Sequence, residues 1–135
     1  MTLTQSVKNR LNGYFEKSKF PMKIDNIFFY RPTYFESYHE NYEVLNEVER
    51  LYECDHVYVL LEFHHEDLFY EYELRYKNSG NRLENTMCIL KYWELMSEEE
   101  LEEAERRMTP LTMLLATSMI PSLLHFLYET KRKEG

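Results

Sequence analysis

The chain has 135 residues, of which 16% are aromatic, and a formal net charge of −8 at neutral pH. This length suits one domain with a hydrophobic core, and the aromatic content excludes disorder because disordered chains are poor in aromatic residues. The negative charge argues against direct binding to nucleic acid, which normally requires a basic surface. We therefore interpret residues 1–135 as a single domain that does not bind nucleic acid itself.

The charge is unevenly distributed along the chain. Residues 1–33 carry six basic and two acidic groups, whereas residues 34–73 carry twelve acidic groups and only Arg50 as a basic one. Cys54 and Cys88 are too few and too far apart for a disulfide framework, so a reducing compartment is expected. The first residues lack the charged-then-apolar pattern of a secretory signal. We expect a cytoplasmic protein.

The first third of the chain predicts a helix followed by a strand. Residues 3–19 repeat apolar side chains at the three- and four-residue spacing of one helix face. Pro21 ends this helix, because proline lacks an N–H group and clashes with the preceding turn. Residues 24–30 then predict a strand, which residues 31–33 terminate.

A second helix is predicted from Glu36 to Glu53, where tyrosine and apolar side chains recur at helical spacing. Four glutamates share another face of this predicted helix: Glu36, Glu40, Glu43 and Glu47. Carboxylates three or four residues apart repel each other at a cost of about a few tenths of a kcal/mol per pair. We interpret the row as a solvated face or as a surface kept for a partner.

Residues 56–95 predict three consecutive antiparallel strands. The middle one, residues 69–77, alternates tyrosine and leucine with charged side chains, which is the period of two that a half-buried strand needs. Residues 78–81, Asn-Ser-Gly-Asn, predict a hairpin turn because asparagine and glycine accept positive φ. The return strand, residues 85–95, is apolar on both faces, as expected for a strand that a helix covers.

Two helices are predicted at the C-terminal end. Ser97 and Glu100 form a capping box at the start of the first. Thr109 and Pro110 mark the start of the second, as N-cap and first helical residue. Residues 111–128 contain no acidic residue, lysine or arginine, but we expect no membrane span because polar residues interrupt the run and Pro121 would kink it. The elements together predict an α+β fold: an antiparallel three- to four-stranded meander packed against helices, with a C-terminal helical pair.

The sequence contains no motif that requires a particular chemistry. His64, His65, Glu66 and Asp67 are the densest cluster of metal-ligand types, but a contiguous run at a strand end sends its side chains to alternate faces. We interpret the cluster as a turn and predict no enzymatic activity and no cofactor. A small metal-dependent enzyme at His64, His65 and Glu66 is one alternative. A homodimeric module that uses the apolar helix of residues 110–130 is another.

An acidic surface is predicted if the second helix lies beside the meander. Its carboxylates would be those of Glu36, Glu40, Glu43, Glu47, Glu62, Glu66, Asp67, Glu71 and Glu73. Tyrosine and phenylalanine side chains lie between them in sequence, and interfaces use aromatic anchors within a charged rim. A carboxylate array can also take the place of nucleic-acid phosphates in a basic groove. The expected partner is a basic protein.

Two stretches resemble small acidic inhibitor proteins of viruses and mobile elements. Residues 66–93, EDLFYEYELRYKNSGNRLENTMCILKYW, are similar to the aromatic, acidic hairpin of archaeal-virus anti-CRISPR proteins. The opening MTLTQSVKNRL resembles the start of staphylococcal uracil-DNA glycosylase inhibitors. Neither resemblance assigns a role to an individual residue. They imply a non-enzymatic protein, a DNA mimic or anti-CRISPR, that inhibits a nucleic-acid-handling protein in the host cytoplasm.

Overall fold

The computed structural model describes residues 1–33, 41–65, 68–92 and 96–134. Its elements, in chain order, are α1 (Leu3–Lys17), β1 (Met22–Thr33), β2 (Asn41–Val44), α2 (Val48–Tyr52), β3 (His56–His65), β4 (Leu68–Asn78), β5 (Leu83–Tyr92), α3 (Glu98–Leu114), a π-helical segment (Leu115–Met119) and α4 (Ile120–Glu134). Within these ranges the strands form one antiparallel sheet in the order β2-β1-β3-β4-β5. The predicted α+β class is confirmed, and the described sheet has five strands where three or four were expected.

The sheet has one buried face and one partly exposed face. The buried face packs with the helices into a single core, which includes four of the five residues of the apolar stripe predicted for α1: Leu3, Val7, Leu11 and Phe15. The fifth, Tyr14, is 57% exposed. The alternation predicted for β4 is also confirmed, because its core-facing side chains are those of Tyr70, Tyr72, Leu74 and Tyr76. We call the opposite side the outer face. Its members include Asn26, Phe28, Tyr30, Tyr42, Val44, Tyr58, Leu60, Glu62, Glu71, Glu73, Arg75, Met87, Ile89 and Lys91.

The turn between β4 and β5 lies where the sequence predicts it. Gly80 and Asn81 have φ values of 60° and 62°. Ser79 and Arg82 flank them and exchange backbone hydrogen bonds of 2.9 and 3.2 Å. Positive φ at both central residues is the signature of the type I′ hairpin, whose twist matches that of the strands it joins.

The predicted second helix, from Glu36 to Glu53, is wrong over residues 41–47 and is confirmed only for Val48–Tyr52. Asn41–Val44 is a strand paired with β1, and only Val48–Tyr52 is helical. The ring of Tyr42 packs against those of Tyr30 and Tyr58, at centroid distances of 5.9 and 6.1 Å. Contacts with residues distant in sequence thus override the local helical spacing, as is common for tyrosine in sheets. Residues 36–40 lie outside the described ranges.

The two predicted C-terminal helices form one continuous helix, Glu98–Glu134. It begins after Ser97, as predicted, with the Ser97 hydroxyl accepting a hydrogen bond from a backbone N–H of the first turn. The second start predicted at Thr109 and Pro110 is wrong. Thr109 does not cap a helix, because its hydroxyl donates to the carbonyl four residues earlier. Pro110 lies inside α3 and removes one helical hydrogen bond, a loss that the burial of the helix against the sheet offsets.

The π-helical segment changes the hydrogen-bond register just before Pro121. The Ile120 N–H donates to the Leu115 carbonyl, five residues earlier. In the same register the Ala116 carbonyl would face Pro121, which has no N–H group to donate. The hydroxyl of Tyr76 supplies the missing donor at 2.7 Å. Tyr76 is 1% exposed, so this bond joins the centre of the sheet to the helix inside the core.

In the described part of the chain, the Glu98–Glu134 helix is long and apolar enough to cross a membrane by length and composition alone. A core helix passes the same test but is mostly buried, whereas 28% of the apolar 18-residue window of this helix is buried in the fold. Our expectation that the chain does not span a membrane stays a prediction.

Tyr76→Phe is expected to lower the free energy of unfolding by about 1–3 kcal/mol, because it leaves the buried Ala116 carbonyl without a donor. Urea denaturation of the two proteins measures the difference. Tyr14→Phe is the matched control. It removes a hydroxyl from a tyrosine that is 57% exposed on α1, and we expect a change below about 0.5 kcal/mol.

Pro121→Ala tests whether Pro121 is the reason that the Ala116 carbonyl needs the Tyr76 hydroxyl as a donor. Alanine restores an N–H group near that carbonyl. A double-mutant cycle should then show a smaller loss for Tyr76→Phe in the Pro121→Ala background than in the parent. An equal loss in the two backgrounds would show that Pro121 is not the reason for the bond.

Candidate partner-binding surface

The outer face is assembled by cross-strand register. Tyr30 lies opposite Tyr58, and Tyr58 lies opposite Arg75. Phe28, Leu60 and Glu73 form the next row in the same way. Side chains directly opposite each other in antiparallel strands are close enough to be in contact. A small cleft of about 210 Å³ opens among these side chains, and Tyr30, Tyr42, Tyr58, Leu60, Glu73 and Lys91 line it.

Glu73 lies at the centre of the outer face and is neutralised there. It is 5% exposed, and its carboxylate accepts from Arg75 at 3.2 Å and from Lys91 at 3.4 Å. The Arg75 guanidinium also stacks over the Tyr58 ring, 4.7 Å from its centroid. A buried carboxylate with two cationic partners is a structural feature of the face rather than a free negative charge.

Glu62 and Glu71 form the second acidic feature of the outer face. They lie directly opposite each other on β3 and β4. Burial and the charge of Glu62 raise the pKa of Glu71, an effect that Lys91 partly counteracts. Within the described residues neither carboxylate makes an ion pair with lysine or arginine. Like charges directly opposite each other destabilise a sheet, so this pair costs folding free energy.

Glu43 and Glu47 lie away from this pair. Glu43 faces the other side of the sheet and pairs with Arg31 at 3.5 Å and with Arg50 at 3.2 Å. Glu47 precedes α2 as its N-terminal boundary residue and is exposed. The two do not share a helix face, because residues 41–44 are a strand.

The predicted nine-carboxylate surface is therefore brought together only in part. The structure places three members on the outer face: Glu62, Glu71 and Glu73. Four others lie outside the described residues: Glu36, Glu40, Glu66 and Asp67. The sequence reading missed the aromatic half of this face, formed by Phe28, Tyr30 and Tyr58. Their alternation with the buried residues of β1 and β3 is the signal that could have found them.

The histidines predicted as an alternative metal site point to opposite faces of β3, because they are adjacent in a strand. His64 contacts the Asp25 carboxylate through Nδ1. Asp25 is the extra residue of a β-bulge in β1, and the Asn12 side chain holds that bulge by bonding both backbone groups of Ile24. The described residues contain no group of three or more potential metal ligands, and Glu66 is not among them.

Comparisons with known proteins leave the family open. No protein-family model, curated protein or solved structure matches the chain. The resemblance to viral and mobile-element inhibitors therefore stays a prediction.

Glu71→Gln is expected to raise the free energy of unfolding at neutral pH by about 0.2–1 kcal/mol, because it removes a like charge opposite Glu62. The folded-state pKa of Glu71 is raised, so its charged form disfavours folding above that pKa. The gain should shrink as the pH falls through the raised pKa towards the ordinary glutamate value. Urea denaturation at a series of pH values measures it.

Glu73→Gln is the matched control two residues along the same face. It is expected to lower the free energy of unfolding by about 1–2 kcal/mol, because it takes the shared carboxylate from Arg75 and Lys91. Effects of the same sign in the two variants would contradict the distinction between a repelled and a neutralised carboxylate.

Proposed function

We propose that this protein is a small non-enzymatic binding protein whose outer face docks on a basic surface of another protein. The observation that supports this most directly is the Glu62 and Glu71 pair, which is repelled within the fold and has no cationic partner among the described residues. A lysine or arginine from a partner would relieve that repulsion. Binding would then recover free energy that folding loses.

The side chains beside the carboxylate pair suit an interface. Phe28, Tyr30 and Leu60 are partly exposed on the same face, and aromatic side chains next to a charged pair are typical of interface anchors. Burial and the nearby Glu62 charge raise the pKa of Tyr30, so its hydroxyl stays protonated and can donate to a partner. The charge of −8 would steer the approach of a basic protein.

The resemblance supplies the class of partner. We propose a nucleic-acid-handling protein of a host cell, inhibited in its cytoplasm by a protein of a virus or mobile element. Glu73 is neutralised internally, so we propose recognition centred on Glu62 and Glu71 rather than a continuous imitation of nucleic-acid phosphates. No membrane and no direct contact with nucleic acid are required.

A Glu62→Gln/Glu71→Gln variant is expected to bind its partner about tenfold or more weakly, because it loses the charges that a cation would neutralise. Purified CRISPR effector complexes and uracil-DNA glycosylases, the two target classes that the resemblance names, are the probes. Biolayer interferometry at ionic strengths of about 0.05 and 0.5 M measures the affinity, and the parent should bind far more weakly at high salt.

A Glu99→Gln/Glu102→Gln variant is the control, because it removes the same charge from exposed positions on α3. It should retain the parent affinity. An equal loss in the two double variants would mean that only net charge matters and would reject the outer face as the interface. Absence of binding to every probe would reject the proposed target class.

A homodimer through residues 110–130 is the second candidate. Leu114 and Phe126 support it, since they are 50% and 52% exposed on the long helix. Sedimentation velocity should then show a dimer that dissociates on dilution, and Leu114→Glu should give a monomer at all concentrations because it places a charge in the apolar interface. A parent protein that is monomeric throughout would exclude this candidate.

A further inference from the structure

The cleft on the outer face has the size of a site for one side chain. Its volume of about 210 Å³ lies below the range of about 300–1,000 Å³ that is usual for small-molecule sites. Three tyrosine rings line it, with the Tyr42 centroid 5.9 Å from that of Tyr30 and 6.1 Å from that of Tyr58. Leu60 adds an aliphatic contact. A flat aromatic side chain suits this wall, because aromatic rings pack edge-to-face or offset at such distances.

Glu73 also lines the cleft, and its carboxylate has one hydrogen-bond acceptor position left. The residue is 5% exposed. Its Oε2 accepts two bonds from Arg75, at 3.2 and 3.3 Å, and its Oε1 accepts one from Lys91 at 3.4 Å. A carboxylate offers about four acceptor positions, so within the described residues one position on Oε1 is unfilled. A buried acceptor of this kind favours a ligand group that donates a single hydrogen bond.

The charges around the cleft favour a neutral donor. The Lys91 ammonium lines the cleft and the Arg75 guanidinium lies over the Tyr58 ring, so two cations surround one carboxylate. This excess of positive charge repels a third cation. Glu62 and Glu71 lie two residues further along β3 and β4, and they repel an anion. An indole suits both conditions, because it is neutral and aromatic and has one N–H donor and no acceptor.

We propose that the cleft binds a tryptophan side chain of the partner, with the indole N–H donating to Glu73 and the ring packed against the three tyrosines. The pair of Glu62 and Glu71 is about 7 Å away, a separation that two residues of an extended chain span on one face. The partner segment therefore carries a basic residue and a tryptophan two positions apart. The partner itself rests on the function proposed above, whereas occupation of the cleft by an indole does not require it.

Methyl NMR of leucine-labelled protein measures occupation of the cleft. Leu60 in the wall is the reporter, and Leu124 in the core shows whether the fold is unchanged. N-acetyl-tryptophanamide should shift the Leu60 signals saturably below about 20 mM. Its benzothienyl analogue, which has nearly the same shape without the N–H, should bind about fivefold or more weakly. Absence of saturation by the tryptophan probe, or equal binding of the two, would overturn the proposal.

Two further measurements test the wall and the charges. Tyr42→Leu should weaken binding of the tryptophan probe about threefold or more because it removes one ring, whereas Tyr14→Leu, the same change on the exposed side of α1, should not. N-acetyl-argininamide should not saturate the Leu60 signals of the Glu62→Gln/Glu71→Gln variant, in which the acidic pair no longer attracts it. Equal effects of the two tyrosine changes, or saturation by the arginine probe, would contradict the proposed occupant.

The tripeptide acetyl-Arg-Gly-Trp-amide tests the spacing to the acidic pair. It should bind at least about threefold more tightly than the tryptophan probe, and Glu62→Gln/Glu71→Gln should remove only that gain. A tripeptide that binds no more tightly would reject the spacing. If the tryptophan probe binds and no target protein does, the proposed function fails and the cleft assignment stands. If a target protein binds and the probe does not, the cleft assignment alone fails.

Discussion

The structure depends on how strand β4 satisfies the hydroxyls of the tyrosines that it buries. A buried tyrosine contributes a large apolar ring, but its hydroxyl needs a partner inside the core. Tyr76 donates to the Ala116 carbonyl at 2.7 Å, and Tyr70 accepts from Arg107 at 3.3 Å. Both partners belong to the C-terminal helix, so the strand and the helix are held in register by polar bonds as well as by packing. The hydroxyl of Tyr72 lies beside that of Thr112, which belongs to the same helix.

The same strand shows how its neighbours decide the role of a charge. Glu71 and Glu73 are two residues apart and share the outer face, so sequence alone gives them equal status. Glu71 lies opposite another glutamate, whereas Glu73 is within reach of Arg75 and Lys91. One is therefore a repelled charge that an external cation would stabilise, and the other is an internal counterion. The number of carboxylates in the sequence does not distinguish the repelled carboxylate from the neutralised one.

The features that were predicted correctly are those that local sequence determines. The alternation of β4, the hairpin turn at Gly80 and Asn81 and the stripe of α1 depend on backbone preferences and on a single apolar face. The helix predicted over residues 41–47 failed because Tyr42 packs against rings from β1 and β3, contacts that no local window contains. The break predicted at Pro110 failed because burial of α3 outweighs the loss of one hydrogen bond. To predict the register change before Pro121 from sequence, one would have to know that the Tyr76 hydroxyl lies beside the Ala116 carbonyl.

The candidate sites were harder to predict because each needs residues from several strands. Glu62 and Glu71 belong to the acidic surface predicted from sequence, but their positions opposite each other follow from the β3 to β4 register. The cations that neutralise Glu43 come from β1 and α2, and those that neutralise Glu73 come from β4 and β5. In the sequence Thr112 is only a polar interruption of an apolar helix, because its neighbour Tyr72 belongs to a different element of the fold. Tyr72 lies between Glu71 and Glu73 in sequence and points to the opposite side of the sheet, so one strand separates an acidic outer surface from the polar contacts inside the core.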